Sequence, residues 1–214
     1  MKEFTVGSIL GDAWGITKQH FGFLIGLSVV LLLASLLTNV IAAIPVVGFL
    51  AVCAVQIVIK MGALRTFLSL VRGEKRPYSD LFTLWKPFWV FLGASLVFGL
   101  IVSVGMVLLI IPGIMAAVAL QFFVYEIVDG NKGAIEAIKS SAAMTKGKRL
   151  QLFWLMLTLG LINMLGALLF GVGLIITIPL SGVAMALAYE ALKWPDVVKE
   201  IKNTPPVEEA AAAV

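Results

Sequence analysis

The side chains that could do chemistry are few, and they lie within or at the edges of long apolar runs. Two glutamates stand out because each follows a tyrosine at the end of such a run, in the dipeptides Tyr125-Glu126 and Tyr189-Glu190. An ionisable group inside a membrane is costly, so it marks a candidate functional site. The other polar residues of these runs are Asn39, Gln56, Lys60, Gln121 and Asn163.

Two interpretations of the glutamates are open. They could line a cytoplasm-facing cavity that binds a cation or a polar headgroup. They could instead lie at the cytoplasmic interface and form ion pairs, which we favour because both are close to polar loops. The candidate polar site then contains Glu126, Glu190, Lys86, Lys146, Lys18 and Arg65.

Catalytic and cofactor motifs are not found in the sequence. It has no phosphate-binding glycine loop, no H-E-x-x-H and no nucleophile elbow. His20 is the only histidine and has no nearby partner for acid–base catalysis, while Cys53 is the only cysteine. The sequence therefore predicts a protein that is not an enzyme and that has no cofactor and no metal site.

The composition indicates an integral membrane protein. Of 214 residues, 61% are hydrophobic and 13% are charged, and the mean hydropathy is +1.06. A soluble domain of this length needs more charge to cover its surface. The basic residues lie beside apolar runs rather than in a separate basic domain, which excludes nucleic acid as a partner. We expect one membrane domain over residues 1–192 and a cytoplasmic tail over 193–214, disordered at its end.

The apolar runs predict an all-α fold with six transmembrane helices in three hairpins. The bends fall at Pro45, Pro112-Gly113 and Gly171, and a crossing needs about 20 helical residues. Each hairpin follows an interfacial amphipathic helix, within residues 3–18, 78–86 and 134–145. The resulting parallel repeats cover about residues 3–70, 78–128 and 134–192.

The positions of the cations predict the topology. Lys18, Lys86 and Lys146 occupy equivalent places in the three repeats, and none of the bends carries a lysine or arginine. The positive-inside rule then places both termini and both long loops in the cytoplasm, with the chain in the cytoplasmic (inner) membrane. Anionic lipid headgroups at the cytoplasmic face are the predicted partners.

A protein partner is a second prediction. Gly7, Gly11 and Gly15 recur every four residues, a spacing that lets helices approach closely. The chain could therefore form a homo-oligomer or bind another membrane protein. The alternative is that these glycines only permit local bending.

A family resemblance rests on IPGI at the second bend and on AIEAIKSSAAMTKGKRLQLFW, which leads into the fifth run. From Pro112 to about Leu192 the chain resembles the membrane domain of some bacterial glycerophosphoryl diester phosphodiesterases and related stand-alone six-span proteins. Because no phosphodiesterase domain follows, the resemblance implies a membrane domain without that activity. It carries no catalytic residue over to this chain.

The residues support two functions of different classes. The first is a non-enzymatic protein of the cytoplasmic membrane that binds lipid or a protein partner, in envelope organisation. The alternative is a small transporter or channel with a cytoplasm-facing polar site at Glu126 and Glu190.

Overall fold

All the elements that the structure describes are helices. The computed structural model describes residues 5–41, 47–73, 88–168 and 173–194, with the backbone alone for 34–41 and 47–54. The helices are α1 (Val6–Gln19), α2 (Phe21–Ile41), α3 (Val47–Val71), α4 (Phe88–Leu108), α5 (Ile110–Leu120), α6 (Phe123–Val128), α7 (Ala134–Met144), α8 (Arg149–Leu168) and α9 (Leu174–Lys193). The all-α prediction is confirmed over these ranges. The bends at Pro45 and Gly171 and the predicted helix at 78–86 lie outside them.

Four helical segments are long and apolar enough to cross a membrane. They are Phe88–Leu108, Ile110–Val128, Arg149–Leu168 and Leu174–Lys193, the second being α5 and α6 together. A fifth crossing is obtained if α1 and the first part of α2, which meet at 89°, count as one bent span. The chain thus has the helices of a membrane protein, and the count of six stays a prediction.

The bend of the α4–α5 hairpin lies earlier than Pro112-Gly113. The chain turns at Leu109, and Pro112 sits in the first turn of α5, where its missing N–H costs no helical hydrogen bond. The returning span gains residues and reaches 19 in length. Gly105 and Gly113 face each other so closely that a Cβ on Gly105 would lie 3.0 Å from the Gly113 Cα. Small residues at this point allow the two helices to touch.

The α8–α9 hairpin is closed in the same way by Gly166 and Gly173. A Cβ on Gly173 would lie 2.6 Å from the Gly166 carbonyl oxygen. Farther along α9, Gly182 leaves room for the ring of Phe67 from α3, so the two helices pack closely at this point. Helix α9 ends at Lys193.

Pro179 within α9 explains a contact between α9 and α2. Because proline has no N–H, the Ile175 carbonyl four residues earlier has no helical donor. The Ser28 hydroxyl of α2 lies 3.1 Å from this carbonyl and 2.9 Å from the Leu24 carbonyl, so the two acceptors share its proton. Ser28 therefore lies beside the first turn of α9, about 22 Å along the helix from Glu190 at its other end.

Helix α1 packs against α9 and meets the first part of α2 at 89°. Its expected position on the cytoplasmic surface of the membrane stays a prediction. The amphipathic character of α1 is confirmed, but its apolar residues Ile9 and Ala13 are buried in the main core together with α9.

Candidate functional site

The two Tyr–Glu dipeptides meet at one end of the bundle. The rings of Tyr125 and Tyr189 stack with their centroids 4.9 Å apart. Glu126 and Glu190 are each 1% exposed. The Tyr189 hydroxyl donates to Glu126 Oε1 at 2.9 Å, so the two ends of α6 and α9 are joined directly.

Arg72, which follows α3, holds two carboxylates at once. Its Nε donates to Glu190 Oε1 at 2.9 Å, and its Nη1 donates to Asp129 Oδ1 at 2.6 Å. The planar guanidinium presents its donors in a fixed fork, which suits two acceptors on different helices. This one side chain therefore connects α3 with the ends of α6 and α9.

Two lysines complete the cluster. Lys132 Nζ lies 2.5 Å from Glu126 Oε2, which also accepts from Ser140 Oγ of α7 at 2.9 Å. Lys193 Nζ lies 2.8 Å from Asp129 Oδ2 and 3.3 Å from Glu126 Oε1. We call this cluster the acid–base network, and its charged members are Arg72, Glu126, Asp129, Lys132, Glu190 and Lys193.

The acid–base network is electrically balanced, with three acidic and three basic side chains. Its members come from the ends of α3, α6 and α9 and from the segment that leads into α7. Buried carboxylates keep their charge only when cations and hydrogen bonds compensate for lost hydration. The arrangement therefore fastens helix ends together, and each acid already has a cationic partner.

Asp129, just beyond the spanning segment, shows the strength of this compensation. Burial raises its pKa, but the hydrogen bonds and charges of Arg72 and Lys193 outweigh burial and lower the pKa from 3.8 to about 2. The hydrogen bond to Asp129 raises the pKa of Arg72 above its ordinary value, although burial by itself would lower it. Both groups are therefore charged at neutral pH.

We expect stability to fall in acid through Asp129. Since its pKa is lower in the folded state, its contribution is complete above 3.8 and is lost as the pH falls toward about 2. The shift corresponds to about 2 kcal/mol. Thermal unfolding of detergent-solubilised protein at pH 5 and pH 2.5, compared with Asp129→Asn, measures it. An equally steep acid loss in Asp129→Asn would contradict the assignment.

The structure assigns the glutamates partners other than those expected. Among the described residues, neither Glu126 nor Glu190 forms an ion pair with Lys18, Arg65 or Lys146. Lys18 lies over the Trp14 ring on α1, and Lys146 is exposed in the α7–α8 turn. Lys86 lies outside the described residues.

Close to the network, the spanning segment Ile110–Val128 is broken at Gln121 and Phe122. The Phe122 N–H donates to the Ser141 hydroxyl of α7 at 3.1 Å. The Ala119 carbonyl accepts from Ser141 Oγ and Thr145 Oγ1, both at 3.0 Å. Because a break in a membrane helix exposes backbone groups that need partners, these two hydroxyls make the break tolerable.

Removing these hydroxyls should destabilise the protein. We expect Ser141→Ala to cost about 1–3 kcal/mol, because the Phe122 N–H loses its acceptor in a buried position. Thr145→Val should have a smaller effect of the same sign. Thr158→Val is the matched control, since among the described residues Thr158 bonds only to Trp154, within its own helix. Melting temperatures in detergent measure the difference, and equal values for Thr145→Val and Thr158→Val would refute this role.

Several residues of the acid–base network were not predicted from the sequence as members of the candidate site. Arg72, Asp129, Lys132 and Lys193 stand in loops or helix ends, where a charged residue is ordinary. The spacing of Ser141 and Thr145, one helical turn apart on the buried face of α7, is a usable signal that we did not exploit. The helix predicted within residues 134–145 is confirmed as α7, and Ile135 in its first turn is 54% exposed.

Comparisons with known proteins relate this chain to a family of unknown function. The family described as "Domain of unknown function (DUF7847)" matches residues 28–201. One uncharacterized protein of Mycobacterium bovis and two of Mycobacterium tuberculosis are each 30% identical over 168 residues, or 75% of this chain. The chain spans 49% of the length of these relatives. No solved structure matches it significantly. The range matched by the family contains the acid–base network and the four apolar spanning segments.

Proposed function

This chain belongs to the DUF7847 family, and we propose that it is a non-enzymatic protein of the cytoplasmic membrane that binds anionic lipid headgroups and contributes to envelope organisation. The observation that carries the proposal is the balanced acid–base network. Glu126, Asp129 and Glu190 are all engaged by cations of the chain itself, so their charges serve helix packing. The exposed cation Lys146 is outside this network and is left for headgroups.

Native mass spectrometry of protein released gently from its own membrane tests this proposal. We expect anionic phospholipid to stay bound after neutral lipid has been removed. A second protein bound at a fixed stoichiometry, with no lipid, would instead support the other form of the binding hypothesis, in which the partner is a protein. A protein that keeps neither would contradict the proposal.

The topology is part of the same proposal: six spans, three parallel repeats and both termini in the cytoplasm. The lengths of α2 (21 residues) and α3 (25 residues) support two further crossings. The glycine pairs that close the hairpins α4–α5 and α8–α9 support the repeat. Reporter fusions after Trp194 and at Leu109 test it. We expect cytoplasmic activity for the first and external activity for the second, and the same side for both would exclude it.

A small transporter is the second candidate, and the break in the spanning segment Ile110–Val128 favours it. Both polar atoms of the Gln121 amide are buried and have no hydrogen-bond partner among the described residues. Discontinuous helices form substrate sites in many transporters. Solute flux into proteoliposomes that is lost in Gln121→Leu would establish this function, and flux that is unchanged in that variant would exclude the site.

Two finer predictions also remain. The resemblance to the membrane domain of glycerophosphoryl diester phosphodiesterases implies a shared architecture without enzymatic activity. Assays of the purified protein on lipid phosphodiesters would test the expected lack of activity.

Self-association through α1 is supported by open space around Gly7, Gly11 and Gly15. Disulfide cross-linking of Gly11→Cys in a Cys53→Ala background tests it, and a monomer alone would count against it.

A further inference from the structure

An exposed apolar stripe runs along the whole of α8. Its members recur at intervals of three and four residues, so they share one helix face. They are Leu150, Trp154, Leu157, Leu161, Leu165 and Leu168, each at least 42% exposed. The stripe is about 27 Å long, close to the thickness of the hydrocarbon core of a bilayer, about 30 Å. The stripe is therefore nearly long enough to face the hydrocarbon layer from one boundary to the other.

Basic residues stand where the stripe begins. Arg149 is the first residue of α8 and directly precedes Leu150, and Lys146 is exposed in the turn before it. Gly147 has a φ of +83°, a conformation in which side chains are rarely found, so the turn between the two cations is tight. We call Lys146 and Arg149, with the two residues between them, the basic turn.

The Arg149 guanidinium has unused hydrogen-bonding capacity. Its Nη2 donates to the Ala142 carbonyl at a long 3.5 Å. Its Nε is shielded from solvent and has no acceptor within the part of the chain that the structure describes. A guanidinium carries five N–H donors, and a phosphate group can accept two of them in parallel.

We propose that the basic turn and the adjacent stripe on α8 form a binding site for one anionic phospholipid. The phosphate is held by Arg149 and Lys146, and an acyl chain lies along the stripe from Leu150 and Trp154. This inference rests on the proposed lipid-binding function and specifies its site. The apolar stripe selects a lipid over a free phosphate ion, because only a lipid covers exposed leucines.

The test compares two double variants that remove the same charge from the full-length protein in detergent. Lys146→Gln with Arg149→Gln alters the site, and Lys18→Gln with Lys139→Gln alters two exposed lysines elsewhere. The probes are phosphatidylglycerol, phosphatidylcholine and inorganic phosphate. Binding is read by native mass spectrometry and by the shift in melting temperature.

We expect the wild-type protein to prefer phosphatidylglycerol, with little shift from inorganic phosphate. The site variant should lose about tenfold or more in affinity for this lipid, while the control changes by no more than about twofold. Arg149→Lys keeps the positive charge but loses the planar set of guanidinium donors. Its affinity for phosphatidylglycerol should lie between those of the site variant and the control. Melting temperatures without lipid show whether each variant is folded.

The outcomes separate this inference from the proposed function. A wild-type protein that binds both lipids equally would overturn both. Two outcomes would overturn the proposed site and leave the proposed function intact. In the first, the site variant prefers phosphatidylglycerol as strongly as the wild type does. In the second, the control variant loses as much of this preference as the site variant. Stabilisation by inorganic phosphate as large as that by the lipid would also overturn the site, since the stripe would then have no role.

Discussion

Arg72→Met should unfold this protein more readily than a substitution at any other cation of the acid–base network. The variant leaves Glu190, which is 1% exposed, without the arginine that contacts it at 2.6 Å, and removes one of the two cations that contact Asp129. Breaking a buried ion pair by removing one partner costs about 3–5 kcal/mol, because the remaining charge is left in a poorly hydrated place. The melting temperature in detergent, followed by tryptophan fluorescence, measures the loss.

Two controls separate this effect from a general loss of positive charge. Lys139→Met removes one charge from an exposed residue and should change stability by about 0.5 kcal/mol or less. Arg72→Met combined with Glu190→Gln should recover part of the loss, since the uncompensated carboxylate is gone. If Arg72→Met were as mild as Lys139→Met, the network would not be what fastens α3 to α6 and α9.

Gly173→Ala should give the second large loss. The added Cβ would lie 2.6 Å from the Gly166 carbonyl oxygen and 2.7 Å from the Gly166 Cα. Both are backbone atoms, so no side-chain rotation relieves the collision and the α8–α9 hairpin must open. Overpacking of this kind costs about 1–3 kcal/mol, and we expect the upper end of this range. Melting temperatures in detergent check this expectation.

Gly160→Ala is the matched control for this prediction. Gly160 lies in α8, and a Cβ there meets no atom within 4 Å. Replacing an unconstrained helical glycine by alanine stabilises a helix by about 0.5–1 kcal/mol. The two substitutions should thus shift the melting temperature in opposite directions. A Gly173→Ala variant as stable as Gly160→Ala would show that the helices are not in contact at this point.

Both predictions concern the same requirement, that the helices meet at defined points along their length. The glycine pairs bring α4 to α5 and α8 to α9 at one end of each hairpin. The acid–base network joins α3, α6 and α9 at the end where Tyr125 and Tyr189 stack. A lipid at the basic turn would add a third point of attachment, to the membrane itself.

The local features of this protein were determined by the sequence. Long apolar runs specify helices of membrane length, and proline and glycine set the approximate ends of those helices, because these effects act over a few neighbouring residues. The importance of Glu126 and Glu190 was also visible, since a carboxylate at the end of an apolar run is costly wherever the helix goes.

The partners of these residues were decided by the tertiary structure. Arg72 is far from Glu190 in the chain, and nothing in its neighbourhood distinguishes it from Arg65, which we expected in that place. Which cation reaches a buried carboxylate depends on how α3 lies against α9, and this depends on the close contact between Gly182 and Phe67. The position of α1 and the break at Gln121 likewise arise from packing between helices that are distant in sequence. Local hydrophobic periodicity does not report such contacts.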